Sequence, residues 1–185
     1  TLLEKLASGH ARGEHVAPDI QIGYYRQDFS TLDFDETVYR TLADAMKEGT
    51  EQELRACAAG FMLDSEILKA KIGSLSEGQK GLVAFAKLSL ERPGLLILDE
   101  PTSSVDAETE ALIMQGFEEL MVGRTTFIIA HRLSTIRKAD VILVVRNGQI
   151  VEQGPFAELM RQQGAFAALY RTQFSDVVEP QRAAS

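Results

Sequence analysis

Four consecutive apolar residues, Leu95-Leu96-Ile97-Leu98, followed at once by Asp99, Glu100 and Pro101, constrain this chain more than any other stretch. An apolar run with no alternation suits a strand buried on both faces, and such strands sit in parallel sheets covered by helices. The residues that follow fit that reading. Ile113, Phe117, Leu120 and Met121 recur at helical spacing, and Thr125 to Ile129 is a second strand-like run. Strand, helix and strand in this order imply a right-handed parallel unit. Ile20 to Tyr25 reads as a further short strand, leading into a polar bend at Arg26, Gln27 and Asp28.

Between these strands the pattern changes. Asp35-Glu36-Thr37 opens a helical stretch reaching about Lys47 and punctuated by Gly49, and helical pieces follow from Glu51 to Ala59 and from Ser65 to Lys71. The middle third therefore reads as a helical subdomain. Ser76-Glu77-Gly78-Gln79 has the Ser-x-x-Gln form of a capping box, and Leu82, Phe85, Ala86 and Leu90 then keep helical spacing up to Pro93. Further on, Val141 to Val145, Asn147-Gly148 and Gln149 to Glu152 read as a hairpin, because Asn-Gly accepts the positive φ of a type I′ turn. That hairpin is expected to add an antiparallel pair to the sheet. Phe156 to Met160 and Phe166 to Phe174 are expected helices, and the polar stretch Ser175 to Ser185 is expected to be disordered. At the other end, Thr1 to Ala7 reads as helix with no start signal before it and Gly9 at its end.

The 185 residues suffice for one domain or most of one. Hydrophobic residues at 45% and charged residues at 25% place the chain among globular proteins. A net charge of −8 argues against bulk electrostatic binding of nucleic acid or anionic lipid, which shows as a basic patch or stripe. No direct nucleic-acid binding is expected. The single cysteine, Cys57, excludes an internal disulfide and reads as a small residue in helix packing. No apolar run reaches the roughly 20 residues that span a bilayer, so a cytoplasmic location is expected.

In open parallel sheets, reactive groups gather beyond the carboxyl ends of the strands, where this sequence delivers Asp99-Glu100 and His131. An aspartate there can hold Mg²⁺, and the next carboxylate can polarise an attacking water in phosphoryl transfer. The alternative is that both carboxylates merely end a strand before Pro101. His131 alone reads equally as a hydrogen-bonded structural histidine, and Gln27 as either a surface amide or a ligand to metal or water. Ser76 and Gly78 open a helix, where free N–H groups and the dipole favour an anion; the plain alternative is an ordinary cap.

Together these segments resemble the ATP-binding cassette (ABC) ATPase family up to about Phe174. Leu75-Ser76-Glu77-Gly78-Gln79 is similar to the signature motif, and Leu95 to Thr102 to the Walker B segment. Gln27 matches the Q-loop glutamine, Asp106 the D-loop aspartate and His131 the switch histidine. The resemblance implies an α/β fold of the P-loop NTPase (RecA-like) cassette type, mostly parallel, with residues 30–92 as helical and signature subdomain and 93–174 as core. It implies Mg²⁺ at Asp99 and Gln27, water activation by Glu100 and γ-phosphate sensing by His131. Leu75, Ser76, Glu77, Gly78, Gln79 and Asp106 would contact ATP, Ser76 and Gly78 reaching the γ-phosphate of a nucleotide held by a second cassette. The family pairs two cassettes head to tail around two ATPs, so a homo- or heterodimer is implied, as are the transmembrane domains of an exporter at the inner membrane face.

Two departures qualify this. The Gly-x-x-x-x-Gly-Lys-[Ser/Thr] loop is absent, although Thr1-Leu2-Leu3 is similar to the helix that follows it, so the cassette reads as incomplete and inactive alone. Thr1 is either the last motif residue or the one after. Moreover, Gly23 to Asp28 and Gln79 to Val83 resemble soluble translation-factor-like ABC proteins, whereas the chain from Ser103 onward resembles multidrug or lipid exporter cassettes. A seam near Pro101 to Ser104 would make the chain a chimera. The leading expectation is an ATPase module driving an exporter; the alternatives are a translation-factor-like ATPase and a non-enzymatic fragment.

Overall fold

The computed structural model describes residues 20–26, 28–99, 107–130 and 133–174; within these, nothing is described of the side chains of residues 107–112, 119, 134 and 174. The chain divides into two compact units, the division falling between Ile129 and Ala130.

The first unit is organised by a parallel sheet. Strands β1 (Ile22–Tyr25), β2 (Leu95–Asp99) and β3 (Thr125–Ile129) lie in that order, with β2 central. Tyr25 stands opposite Leu98, and Asp99 opposite Ile129, so the three strands end within about a residue of one another. Leu96, Ile97 and Leu98 have no exposed surface, as an unalternating apolar run requires of a central strand.

Four helices intervene between β1 and β2, and each begins where a side chain satisfies its first N–H groups. Thr37 Oγ1, the last of the three residues expected to open the stretch, accepts from Arg40 N and starts α1 (Val38–Ala45), which ends two residues short of the expected Lys47. Thr50 and Glu53 form a reciprocal box at α2 (Glu51–Gly60). Asp64 caps α3 (Ser65–Lys69) by accepting from Glu66 N and Ile67 N. This helix stops two residues short of the expected Lys71. Ala70 is extended, which lets Lys71 bridge antiparallel to Thr37 before a 3₁₀ turn, Ile72–Ser74, leads on. Finally α4 (Glu77–Glu91) runs to Arg92, whose left-handed φ of 49° and following Pro93 end it.

The core of this unit stacks aromatic rings across elements. Tyr25 of β1 lies over Phe85 of α4 with centroids 4.6 Å apart, and Phe85 meets Phe117 of α5 (Ala107–Met121) edge to face. Leu42, Leu54, Leu68 and Ile72 carry the helical segment into the same core. Each such fully buried side chain contributes about 1.5–3 kcal/mol over an exposed one.

The second unit holds α6 (Leu133–Lys138), the hairpin β4 (Ile142–Arg146) and β5 (Gln149–Gly154), and helices α7 (Phe156–Gln162) and α8 (Ala165–Phe174). Asn147 and Gly148 both take positive φ, 53° and 76°, as the type I′ turn demands. Among the described residues β4 and β5 pair with each other as an antiparallel two-stranded sheet. Its ladder closes on itself through the local turn. Ile142 and Val144 pack against Leu159, Phe166 and Tyr170, and the Glu152 carboxylate accepts from the backbone of Ala165 and of Phe166 (2.9 Å), capping α8 from the hairpin. The expected helix at Thr1 to Ala7 and the expected disordered tail from Ser175 lie outside the described residues.

Candidate functional site

Two parts of the candidate site fall within the described residues, both in the first unit. The first is the carboxyl end of β2. Burial of Leu95 to Leu98 fixes the strand, and Asp99 is its last residue, half-buried where the fully buried run ends. Its carboxylate accepts no hydrogen bond and joins no ion pair with the described residues. A hard, unengaged oxygen donor at this place suits Mg²⁺, which binds through one or two carboxylates and keeps much of its water. One carboxylate alone does not make a metal centre, and among the described residues no three His, Cys, Asp or Glu side chains gather to hold one.

The second part is the start of α4. Leu75 is buried and anchors the approach, Ser76 and Glu77 are exposed, and Gly78 is buried. Ser76 Oγ accepts from Gln79 N at 3.2 Å, and Gln79 Oε1 accepts from Ser76 N at 3.0 Å. Lys80 N closes the first intrahelical bond on Ser76 O at 2.9 Å. This box accounts for the N–H groups of Ser76 and Gln79. The N–H groups of Glu77 and Gly78 belong to the first turn, which has no intrahelical acceptors. They leave a donor pair at the positive end of a 15-residue helix, beside a serine hydroxyl still able to donate. The arrangement can receive an anion presented from outside.

The segment after the expected glutamine bend is tied to this turn. Ile72 N donates to Glu36 O (3.0 Å), Gly73 N to Phe34 O (2.9 Å) and Val38 N to Ala70 O (3.1 Å). The Lys80 ammonium lies 5.1 Å from the centroid of the Phe34 ring. Reading the sequence missed Phe34, Gly73 and Lys80; the available signal was a lysine in the first turn of a helix, where the dipole disfavours a cation.

Of the residues singled out from sequence, Leu75, Ser76, Glu77, Gly78 and Gln79 come together in one helical turn, and Asp99 stands apart at the strand end. Thr1, Gln27, Glu100, Asp106 and His131 lie outside the described residues. The strands preceding Gln27, Glu100 and His131 in sequence are β1, β2 and β3, adjacent and parallel. No helix among the described residues is long and apolar enough to cross a membrane.

The parallel sheet with Asp99 at the end of its central strand, joined to a helical segment, has the fold of a P-loop NTPase cassette. The family model described as ABC transporter matches residues 4–103, and the chain belongs to the ABC transporter family. It is 44% identical over 161 residues to a fatty acid ABC transporter ATP-binding/permease protein of Mycobacterium bovis, covering 82% of this chain and 25% of that protein. It is 45% identical over 138 residues to an ATP-dependent lipid A-core flippase of Pseudomonas aeruginosa, covering 71% of this chain and 23% of the flippase. Among solved structures, a bacterial Atm1-family ABC exporter with ATP bound matches with a TM-score of 0.71 and 31% identity, over 82% of this chain and 28% of the exporter. The chain thus spans about a quarter of the length of the curated relatives it matches.

Proposed function

We propose that this chain is nucleotide-binding machinery of an exporter-type ABC ATPase, working at the cytoplasmic face of a membrane beside transmembrane domains. The observation that carries the reading is the start of α4: a self-satisfied Ser76–Gln79 box beside the first-turn N–H groups of Glu77 and Gly78, with Ser76 and Glu77 exposed and Gly78 buried beneath them. Such donors suit a γ-phosphate. In this reading Asp99 and Gln27 would hold Mg²⁺, which would neutralise developing phosphate charge. Glu100 accepts a proton from the attacking water, His131 senses the γ-phosphate, and Asp106 contacts ATP. Residues 30–92 form the helical and signature subdomain and 93–174 the rest of the core. The relatives that support an exporter align across Pro101 to Ser104, since a match covering 82% of the chain cannot stop there. That continuity favours one exporter-type cassette over the translation-factor-like alternative.

We infer that the signature turn at Ser76 to Gln79 meets a nucleotide held by a second cassette. The test mixes the chain with an intact, hydrolysis-deficient exporter-type cassette and follows size-exclusion elution with and without ATP. A heterodimer that needs ATP and is lost in Ser76→Arg is expected. Separate elution at saturating ATP, or equal association by Ser76→Arg, would overturn the reading.

A further inference from the structure

Lys80 is half-buried in the first turn of α4, where the dipole works against a cation, and its ammonium lies against the face of Phe34 without an ion pair among the described residues. Phe34 is 43% exposed, so the ring is not held there by core burial. Its backbone oxygen meanwhile accepts from Gly73 N, three residues before Ser76. A Cβ at position 73 would lie 2.9 Å from that same oxygen, an approach only glycine permits without moving backbone. One residue therefore grips the chain on both sides of the Ser76–Gln79 turn, at Gly73 by its carbonyl and at Lys80 by its ring.

We propose that Phe34 is a positioning residue for the nucleotide-contacting turn, a clamp that fixes Ser76 and Gly78 to the segment following Gln27. The role rests on the reading that this turn meets a nucleotide on a second cassette. Asp33 and Asp35 flank Phe34, and the Asp33 carboxylate accepts from Asp35 N, which shapes the turn that presents the ring. A displacement of residues 28–37 is then carried to the donors of α4 through Phe34.

Hydrogen exchange on the full chain tests the clamp directly, with amides of Gly73–Lys80 compared with those of Ala84–Glu91 farther along α4. Phe34→Ala and Lys80→Met are expected to speed exchange in the first group about two- to five-fold, the range of an exposed cation–π contact, and to leave the second group unchanged. Phe34→Tyr and Lys80→Arg keep the π face and the cation and should restore the wild-type pattern. The double variant should exchange no faster than the more affected single one. In the ATP-dependent mixing assay, affinity should fall in the same order across the variants. Unchanged exchange at Gly73–Lys80 in Phe34→Ala, equal acceleration along all of α4, or full association by Phe34→Ala would overturn the proposal. A wild-type chain with the expected exchange but no association would overturn the nucleotide reading and leave the clamp standing.

Discussion

Gly116→Ala and Gly60→Ala make the same chemical change in two helices and should shift stability in opposite directions. Gly116 is buried in α5, and a Cβ built on it would stand 2.4 Å from Phe61 Cε1, 3.1 Å from Cδ1 and 3.3 Å from Cζ. Three atoms of one rigid ring are involved, so the ring must move as a body, and Phe61 is only 8% exposed within the main core. Overpacking of this kind costs about 1–3 kcal/mol. The gain in helix propensity from glycine to alanine offsets about 1 kcal/mol of it. The net expectation is a loss of roughly 1 kcal/mol, or about 2–4 °C in Tm for a chain of this size. Gly60 is exposed at the end of α2 with nothing within 4 Å of its would-be Cβ, so alanine there should stabilise by about 0.4–1 kcal/mol through the unfolded chain. Urea unfolding followed by circular dichroism gives both values from midpoints at constant slope. If Gly116→Ala is as stable as Gly60→Ala, the close approach of α5 to Phe61 is wrong.

Ser76→Ala removes the acceptor for Gln79 N–H and should cost about 1 kcal/mol by chemical denaturation, with Ser76→Thr recovering most of it; an unchanged midpoint would dismiss the cap. Glu152→Ala deprives two first-turn amides of α8 of their acceptor and should destabilise the second unit by about 1–2 kcal/mol, seen as faster exchange at Ala165 and Phe166. Burial holds the Tyr25 phenol far above its ordinary range, so the folded state binds a proton that the unfolded state releases. The stability from this group is therefore full below the unfolded phenol value of 10.0 and is lost as pH rises beyond it. Ultraviolet titration should show the Tyr25 phenolate appearing only as the chain unfolds, and ordinary titration in the native state would contradict its burial.

What the sequence made legible was local. The Ser76–Gln79 box, the Leu95–Leu98 strand, the Thr125–Ile129 strand and the Asn147-Gly148 turn each depend on residues within a few positions of one another, and each stands where the pattern puts it. The cap of α1 went to Thr37, because three acceptor-bearing side chains stand in a row and only their surroundings choose among them. Helix α6, six residues long, is too short to carry a periodicity. The clamp at Phe34 was illegible for a different reason: its parts, Phe34, Gly73 and Lys80, are brought together by α1, α2 and α3 folding back between them. The same holds for Gly116, whose neighbour Phe61 stands just past the end of α2.

The pairing of β1 with β2 has a consequence for how the chain is made. Ile22 to Tyr25 hydrogen-bond to Leu95 to Leu98, and α1, α2, α3 and α4 lie between them. On the ribosome β1 therefore emerges long before its partner, and at about 5–20 residues per second it waits on the order of several seconds with its edge unsatisfied. The intervening helices need only near contacts and can form while β1 waits, since local contacts are made faster than distant ones. The aromatic stack of Tyr25 on Phe85 needs no residue beyond α4, so a segment ending just after α4 already has the means to shelter the end of β1.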